Sequence, residues 1–431
     1  MDATATASDP GKQSRVAAHI PVVAAFDGYR AYAILGLVVV HLLGISGVVV
    51  ALGDNWLAHL IMGTLANFPD ILFIISGFVV FLPTVARHGE FGNVASYALR
   101  RAARLVPAYW LALAAIMVLT VLVPIHPNFP FPALPNIGIH AAFLQMSAVR
   151  MFHAFGPIGF GRDDAVWTLS LEVTFYIILP FIAAWYFRRP ILGLVIAAAI
   201  TAIWQEGLVH AATTQTLVGY PSERLVALRM GRQFPVYAFS FAAGMTGAWA
   251  YVRLRELYPP AQLASKVGLP QLISLVALGF FCYVRGWGDV GEGLFDRNAP
   301  IIVLGFTASL TALMVTTALG QMRWQRPFAH PFARWLGDIS YGMFLIHMLI
   351  INYAIRLFVH PTALQGPFGV HGDGSLATFV GLAAIVLPLT VLYGYLSARV
   401  LEQPIRRWAQ RFGRRRQAVA TQAEAAKASA G

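Results

Sequence analysis

Cysteine is almost absent from this chain of 431 residues: Cys282 stands alone, inside an apolar run. Neither a disulfide framework nor a cysteine metal cluster can be built from it. Charge is scarce too, at 12% of residues, about half the share of an ordinary soluble domain. Acids are the rarer kind, 19 against 31 Lys and Arg. The first twenty residues hold no hydrophobic core, so no cleavable signal peptide is expected and the first apolar span should direct insertion. No Gly-x-Ser-x-Gly elbow occurs, which argues against a serine nucleophile of the hydrolase kind. His126, His140 and His153 lack metal-ligand spacing, and no metal is expected. No internal repeat of the inverted transporter kind is visible.

What fills the chain is hydrocarbon. Hydrophobic residues make up 58%, and the mean hydropathy is +0.65. They fall in blocks of about 18 to 24 residues, the length that crosses a bilayer as a helix. The expected fold is an all-α, polytopic transmembrane bundle of about ten spans, near 30–52, 66–86, 103–124, 166–187, 190–206, 232–252, 267–284, 299–320, 336–358 and 377–401. The net charge of +12 is distributed unevenly. With the N-terminus placed in the cytoplasm, Lys and Arg divide roughly 21 to 7 in favour of that side, the positive-inside bias. Both termini are then expected in the cytoplasm, and anionic membrane lipid, not nucleic acid, is the expected partner of the basic charge. Residues 1–25 read as a disordered cytoplasmic segment, 26–408 as the membrane domain and 409–431 as a disordered basic tail, with no second soluble domain after the last span.

Ionisable residues within a bilayer are costly, so they usually face the bundle interior and mark function. In "YRAYAILGLVVVHLLGISG", Arg30 and His41 are eleven residues apart. Eleven helical steps close to within about 20° of three turns, so the two share a face some 16 Å apart along the axis. "FPDILFIISGFVVFLP" places Asp70 at a helix entrance, where it can cap or pair with a cation, and small residues Ser76 and Gly77 mid-span, where another helix can approach. "SYALRRAARLVPAYW" sets Arg101 and Arg104 side by side. Guanidinium forks of this kind suit lipid phosphate and a nucleotide's phosphates alike. "AVWTLSLEVTFYIILPF" aligns Thr168, Glu172 and Tyr176 at four-residue spacing, and the buried carboxylate calls for a partner, with Arg or His from another span the obvious one. "WLGDISYGMFLIHMLIIN" puts Ser340 and His347 on one face with Tyr341 adjacent, and "LEQPIRRW" ends the last span with Glu402 before a proline expected to stop the helix.

Six stretches in this order resemble the acyltransferase-3 family, the integral membrane O-acyltransferases that modify sugars. "FDGYRAYAILGLVVVHL" is similar to its opening Arg-x10-His signature, on Arg30 and His41. "LFIISGFVV", "LRRAARLVPAYW", "VWTLSLEVTFYIILP", "LGDISYGMFLIH" and "LEQP" are similar to its later landmarks, so the resemblance covers roughly 26–408. Tyr29 stands where the family usually has leucine, and "SLEVTFY" replaces the commoner "SLEEQFY".

The resemblance implies that an acyl group, most often acetyl, passes from cytoplasmic acyl-CoA as co-substrate to a hydroxyl of a carbohydrate or glycosylated acceptor. No tightly bound cofactor is expected. It implies a bacterial cytoplasmic (inner) membrane enzyme in which Arg30, Arg101 and Arg104 position the donor phosphates. His41 would act as general base or transient acyl carrier. Glu172 would orient or charge-balance His41 or an arginine, while Ser76, Tyr176, Tyr341 and His347 are weaker pocket candidates. The outward loop at 125–165, with Asp163 and Asp164 near its end, is a candidate for acceptor recognition or an interfacial aromatic anchor. The rival reading is a proton-coupled transporter or flippase, which would also carry intramembrane His, Glu and Arg.

Overall fold

Where water is excluded, every backbone N–H and C=O must be satisfied within the segment, and the α-helix does this at each apolar run. The computed structural model describes residues 23–52, 55–65, 67–123, 131–146, 158–161, 163–214, 230–286, 299–358 and 372–411. Within them the chain is helical, with no strand. The long helices are α1 (Ala24–Ser46), α2 (Phe68–Ala86), α3 (Val94–Leu122), α4 (Trp167–Arg188), α5 (Pro190–Thr214), α6 (Phe234–Leu257), α7 (Gly268–Gly286), α8 (Pro300–Leu319), α9 (Pro331–Ala354) and α10 (Leu376–Ser397). Nine helical stretches among the described residues are long and apolar enough to cross a bilayer. The polytopic helical bundle expected from hydropathy is therefore present.

The tenth long helix, α6, falls outside those nine because it is rich in Ala, Gly, Ser and Thr and ends in Arg253, Arg255 and Glu256. It packs against α2, α5 and α8, so protein covers much of its surface and small residues serve it better than bulk hydrocarbon. Gly77 of α2 faces the Phe241 carbonyl of α6, the close approach expected at that position. Asp70 lies buried in the first turn of α2, where the hydroxyls of Ser240 and Thr307 donate to its carboxylate at 2.9 and 3.5 Å and the Arg285 charge acts on it through space.

Three boundaries differ from expectation. Helix α1 starts six residues earlier than the hydropathy, at Ala24, and stops at Ser46 instead of running to 52. Gly47 adopts φ 82° there, a left-handed turn that costs glycine little, and its neighbours Ile45 and Ser46 accept backbone hydrogen bonds from Gly372 and Gly374. Helix α3 starts at Val94, nine residues early, because the Asn93 side chain accepts the Ser96 N–H at 2.8 Å and caps it. Arg101 and Arg104 consequently lie within a continuous helix and not ahead of it. Pro404 does not end the last helix. Residues 398–402 form a π-turn, the chain continues helical to 411, and the wider turn takes up the carbonyl that a proline ring would strike.

Helices α1 and α9 begin on the same face of the bundle, tied there by Arg334 to Asp27 at 3.8 Å. They approach closely because Gly337 of α9 lies against the Asp27 carbonyl, with no room for a β-carbon. Gly337→Val is expected to wedge α1 from α9 and lower the thermal midpoint of the protein in detergent or nanodiscs. Overpacking of this kind costs about 1–3 kcal/mol. Gly279→Val, where a β-carbon meets open space, is the matched control and should not lower the midpoint.

Candidate active site

Two adjoining cavities open where α1, α9 and the end of α10 come together. The wider, about 250 Å³, is a vestibule between Asp27, Arg30, Arg104, Asp338, Glu402 and Arg406. Beyond it a narrow cavity of about 60 Å³ continues between α1, α2, α3, α4 and α9. Arg30, Arg104, Ser340 and Tyr341 line both, so the two form one passage leading into the bundle.

The narrow cavity collects most residues that sequence reasoning selected. Arg30, Ser76, Arg101, Arg104, Thr168, Glu172, Tyr176, Ser340 and Tyr341 all line it. Arg30 sits in the second turn of α1, partly buried, 3.4 Å from Asp27. Arg101 lays its guanidinium over the Tyr176 ring at 5.6 Å, and its buried Nε has no hydrogen-bond partner among the described residues. Such a group is ready to meet an anion. The Tyr341 hydroxyl donates to the Leu105 carbonyl at 2.9 Å, which ties α9 to the arginine-bearing stretch of α3.

Glu172 departs from expectation in its partners. Its carboxylate accepts from the Ser76 hydroxyl at 2.9 Å and from the Tyr176 hydroxyl one turn on, not from an arginine or histidine. Arg30 and Arg104 feel its charge across the cavity without a contact ion pair. The four-residue spacing of Thr168, Glu172 and Tyr176 thus does place them on one cavity-facing side. Glu402 accepts from Ser397 at 2.8 Å and acts on Arg104 and Arg406 only through space. The passage therefore gathers four arginines among carboxylates that balance them loosely.

His41 and His347 lie beyond the cavity walls and meet each other. His41 is seventeen positions after Ala24, His347 sixteen after Pro331, so two helices starting on one face bring them to one depth. His41 Nδ1 is 3.0 Å from His347 Nε2, with the ring planes 24° apart and the centroids 5.1 Å apart. His347 is fully buried and its Nδ1 is 2.7 Å from the Phe344 carbonyl, whereas His41 is only half-buried. Phe344 is the wall between the two parts: it lines the narrow cavity and its ring is 5.9 Å from that of His347. Arg30 and His41 both face α9, as their spacing required.

On the opposite face of the bundle, Arg232 makes the polar cluster that sequence reading missed. It forms an ion pair with Asp164 at 2.7 Å, lies over the Trp167 ring at 5.3 Å, and its charge reaches His41. Only the unusual density of Asp163, Asp164 and Trp167 hinted at it. Asp163 is buried, and burial beside the Asp164 carboxylate pushes its carboxyl well above the usual carboxylate range, so it is not an open sugar-binding acid. His140 is structural: its Nδ1 is 2.8 Å from the Asn136 carbonyl and its Nε2 accepts the Gly159 N–H. His126, His153 and much of the loop proposed for acceptor recognition lie outside the described residues.

A family model described as "Acyltransferase domain" matches residues 23–398. Among curated relatives, a peptidoglycan O-acetyltransferase of Listeria monocytogenes, OatA, is 23% identical over 77% of this chain and 49% of its own length. A candidate O-acetyltransferase of Staphylococcus aureus (strain COL) is 21% identical over 88% of this chain and 57% of its own. The chain thus spans about half the length of the curated relatives it matches. No solved structure matches it. With the family model spanning all but the ends of the chain, this protein belongs to the acyltransferase-3 family.

Proposed function

We propose that this protein transfers an acetyl group from acetyl-CoA, supplied on the cytoplasmic face, to a hydroxyl of a carbohydrate, with peptidoglycan-like glycan the acceptor class suggested by the relatives' names. The observation that carries this reading is the passage itself: Arg30, Arg101 and Arg104 converge on one narrow cavity whose mouth lies where α1 and α9 begin. The nucleotide of CoA is polyanionic and its thioester hangs on a long, thin, nearly uncharged arm. Arginines bind phosphate oxygens in paired hydrogen bonds. A wide cationic vestibule followed by a narrow throat suits that shape.

Within this reading His41 removes the proton of the acceptor hydroxyl as it attacks the thioester, or carries the acyl group transiently. Its depth, some 16 Å beyond Arg30, is what a pantetheine-length arm must span, and the Phe344 side chain, which stands between the narrow cavity and the histidines, has to turn aside for the thioester to reach His41. Glu172 balances the arginines and does not orient His41, because its hydrogen bonds go to Ser76 and Tyr176. The residues that would hold the donor and those that would do the chemistry are therefore separate groups joined along α1 and α9.

Two measurements test it. Membranes given radiolabelled acetyl-CoA and extracted glycan should lose label in glycan by about 10²-fold or more on His41→Ala, the usual contribution of a placed base. Protein abundance should hold; equal labelling would remove His41 from the reaction. Arg104→Ala should instead raise KM for acetyl-CoA by about tenfold or more, since a charge-assisted hydrogen bond contributes about 1.5–3 kcal/mol. An unchanged KM in folded protein would take Arg104 out of the donor site.

A further inference from the structure

Resting on the assignment of His41 as proton acceptor, we infer that His347 is a positioning residue that fixes which nitrogen of His41 does the work. The hydrogen-bond order leaves one arrangement. The Phe344 carbonyl can only accept, so His347 Nδ1, at 2.7 Å, must carry its proton and donate. A neutral imidazole protonated at Nδ1 presents a bare lone pair at Nε2. That lone pair faces His41 Nδ1 at 3.0 Å, and it can only accept. His41 Nδ1 therefore bears the hydrogen, and its Nε2 is left as the basic lone pair.

The chain of two rings ending on a carbonyl does for His41 what an orienting acceptor does for any catalytic histidine: it selects the tautomer and holds the ring. Burial differs along it in the required sense. His347 is fully buried, and its fixed place in α9 keeps the relay in register, while His41 is half-buried, with no partner for Nε2 among the described residues. The acceptor hydroxyl must then approach on the side of His41 away from His347.

The step balances. The acceptor oxygen bonds to the thioester carbonyl carbon as its proton passes to His41 Nε2. The carbon–sulfur bond breaks, and the departing CoA sulfur recovers that proton from Nε2, giving acetyl ester and CoA thiol. Throughout, His41 Nδ1–H keeps donating to His347, which spreads the transient imidazolium charge without giving up its own proton.

The test compares His347→Gln with His347→Leu in folded protein, using acetyl-CoA and glycan as above. A glutamine can accept from His41 through its carbonyl and donate to Phe344 through its amide; leucine can do neither. His347→Leu should lower kcat by about 10²–10⁴-fold, with KM for acetyl-CoA within about threefold of wild type. His347→Gln should recover much of the loss. A fully active leucine variant, or a glutamine variant as inactive as leucine, would overturn the inference. Because either variant can disturb α9, wild-type protein labelled with ¹⁵N-histidine provides a second readout by solid-state NMR, with the His41 signal assigned by difference from His41→Ala. The resonances should report Nδ1–H and bare Nε2 at His41; the opposite tautomer would refute the relay. Wild-type protein that transfers no acetyl group while showing the Nδ1–H tautomer would instead sink the donor and acceptor assignment and leave the hydrogen-bond order standing.

Discussion

Cationic side chains held within a lipid-embedded bundle are the constraint from which the rest of this structure follows. A guanidinium surrounded by hydrocarbon is costly unless it is hydrogen-bonded, balanced by charge or hydrated. Here Arg30, Arg101 and Arg104 share a passage with Asp27, Glu172, Glu402 and Tyr176. The acids are close enough to lower the cost of burial, yet among the described residues Arg30–Asp27 is the one contact ion pair of that set. Tight one-to-one pairing would have left nothing for an anion to displace. The loose arrangement keeps hydrogen-bond donors available, Arg101 Nε among them.

The second requirement is a close meeting of α1 and α9, since the arginine of one region and the histidines of another lie along the same two helices. Gly337 against the Asp27 carbonyl sets the spacing near one end. From there both helices climb at the same rise per residue. That common rise brings His41 and His347, 306 residues apart in sequence, to a hydrogen-bond distance of 3.0 Å. Vestibule and histidine pair thus both lie along the seam between these two helices.

Much of this was legible from residue spacing alone. The apolar lengths marked the spans, the eleven-residue interval put Arg30 and His41 on one face, and the four-residue steps grouped Thr168, Glu172 and Tyr176. What periodicity could not provide was partnership, because a partner across the bundle has no fixed offset in sequence. Glu172 was expected to meet Arg or His and instead accepts from Ser76 and Tyr176. His347 shared a face with Ser340 in the sequence, but nothing there joined it to His41. Boundaries failed where hydropathy was a poor guide to helicity: polar Asn93 caps α3 well before its apolar stretch, and the π-turn at 398–402 carries the chain through Pro404.

The place of Phe344 has a consequence for the cell as a whole. The passage enters the bundle from one face, and this ring stands in its wall with the paired imidazoles on the other side. A through-channel lined by arginines and acids would conduct small ions and dissipate the electrochemical gradient on which the membrane's other machinery runs. On the proposed reading this side chain closes the bore at rest and turns aside only for the thioester, so the barrier between compartments stays electrically intact between turnovers.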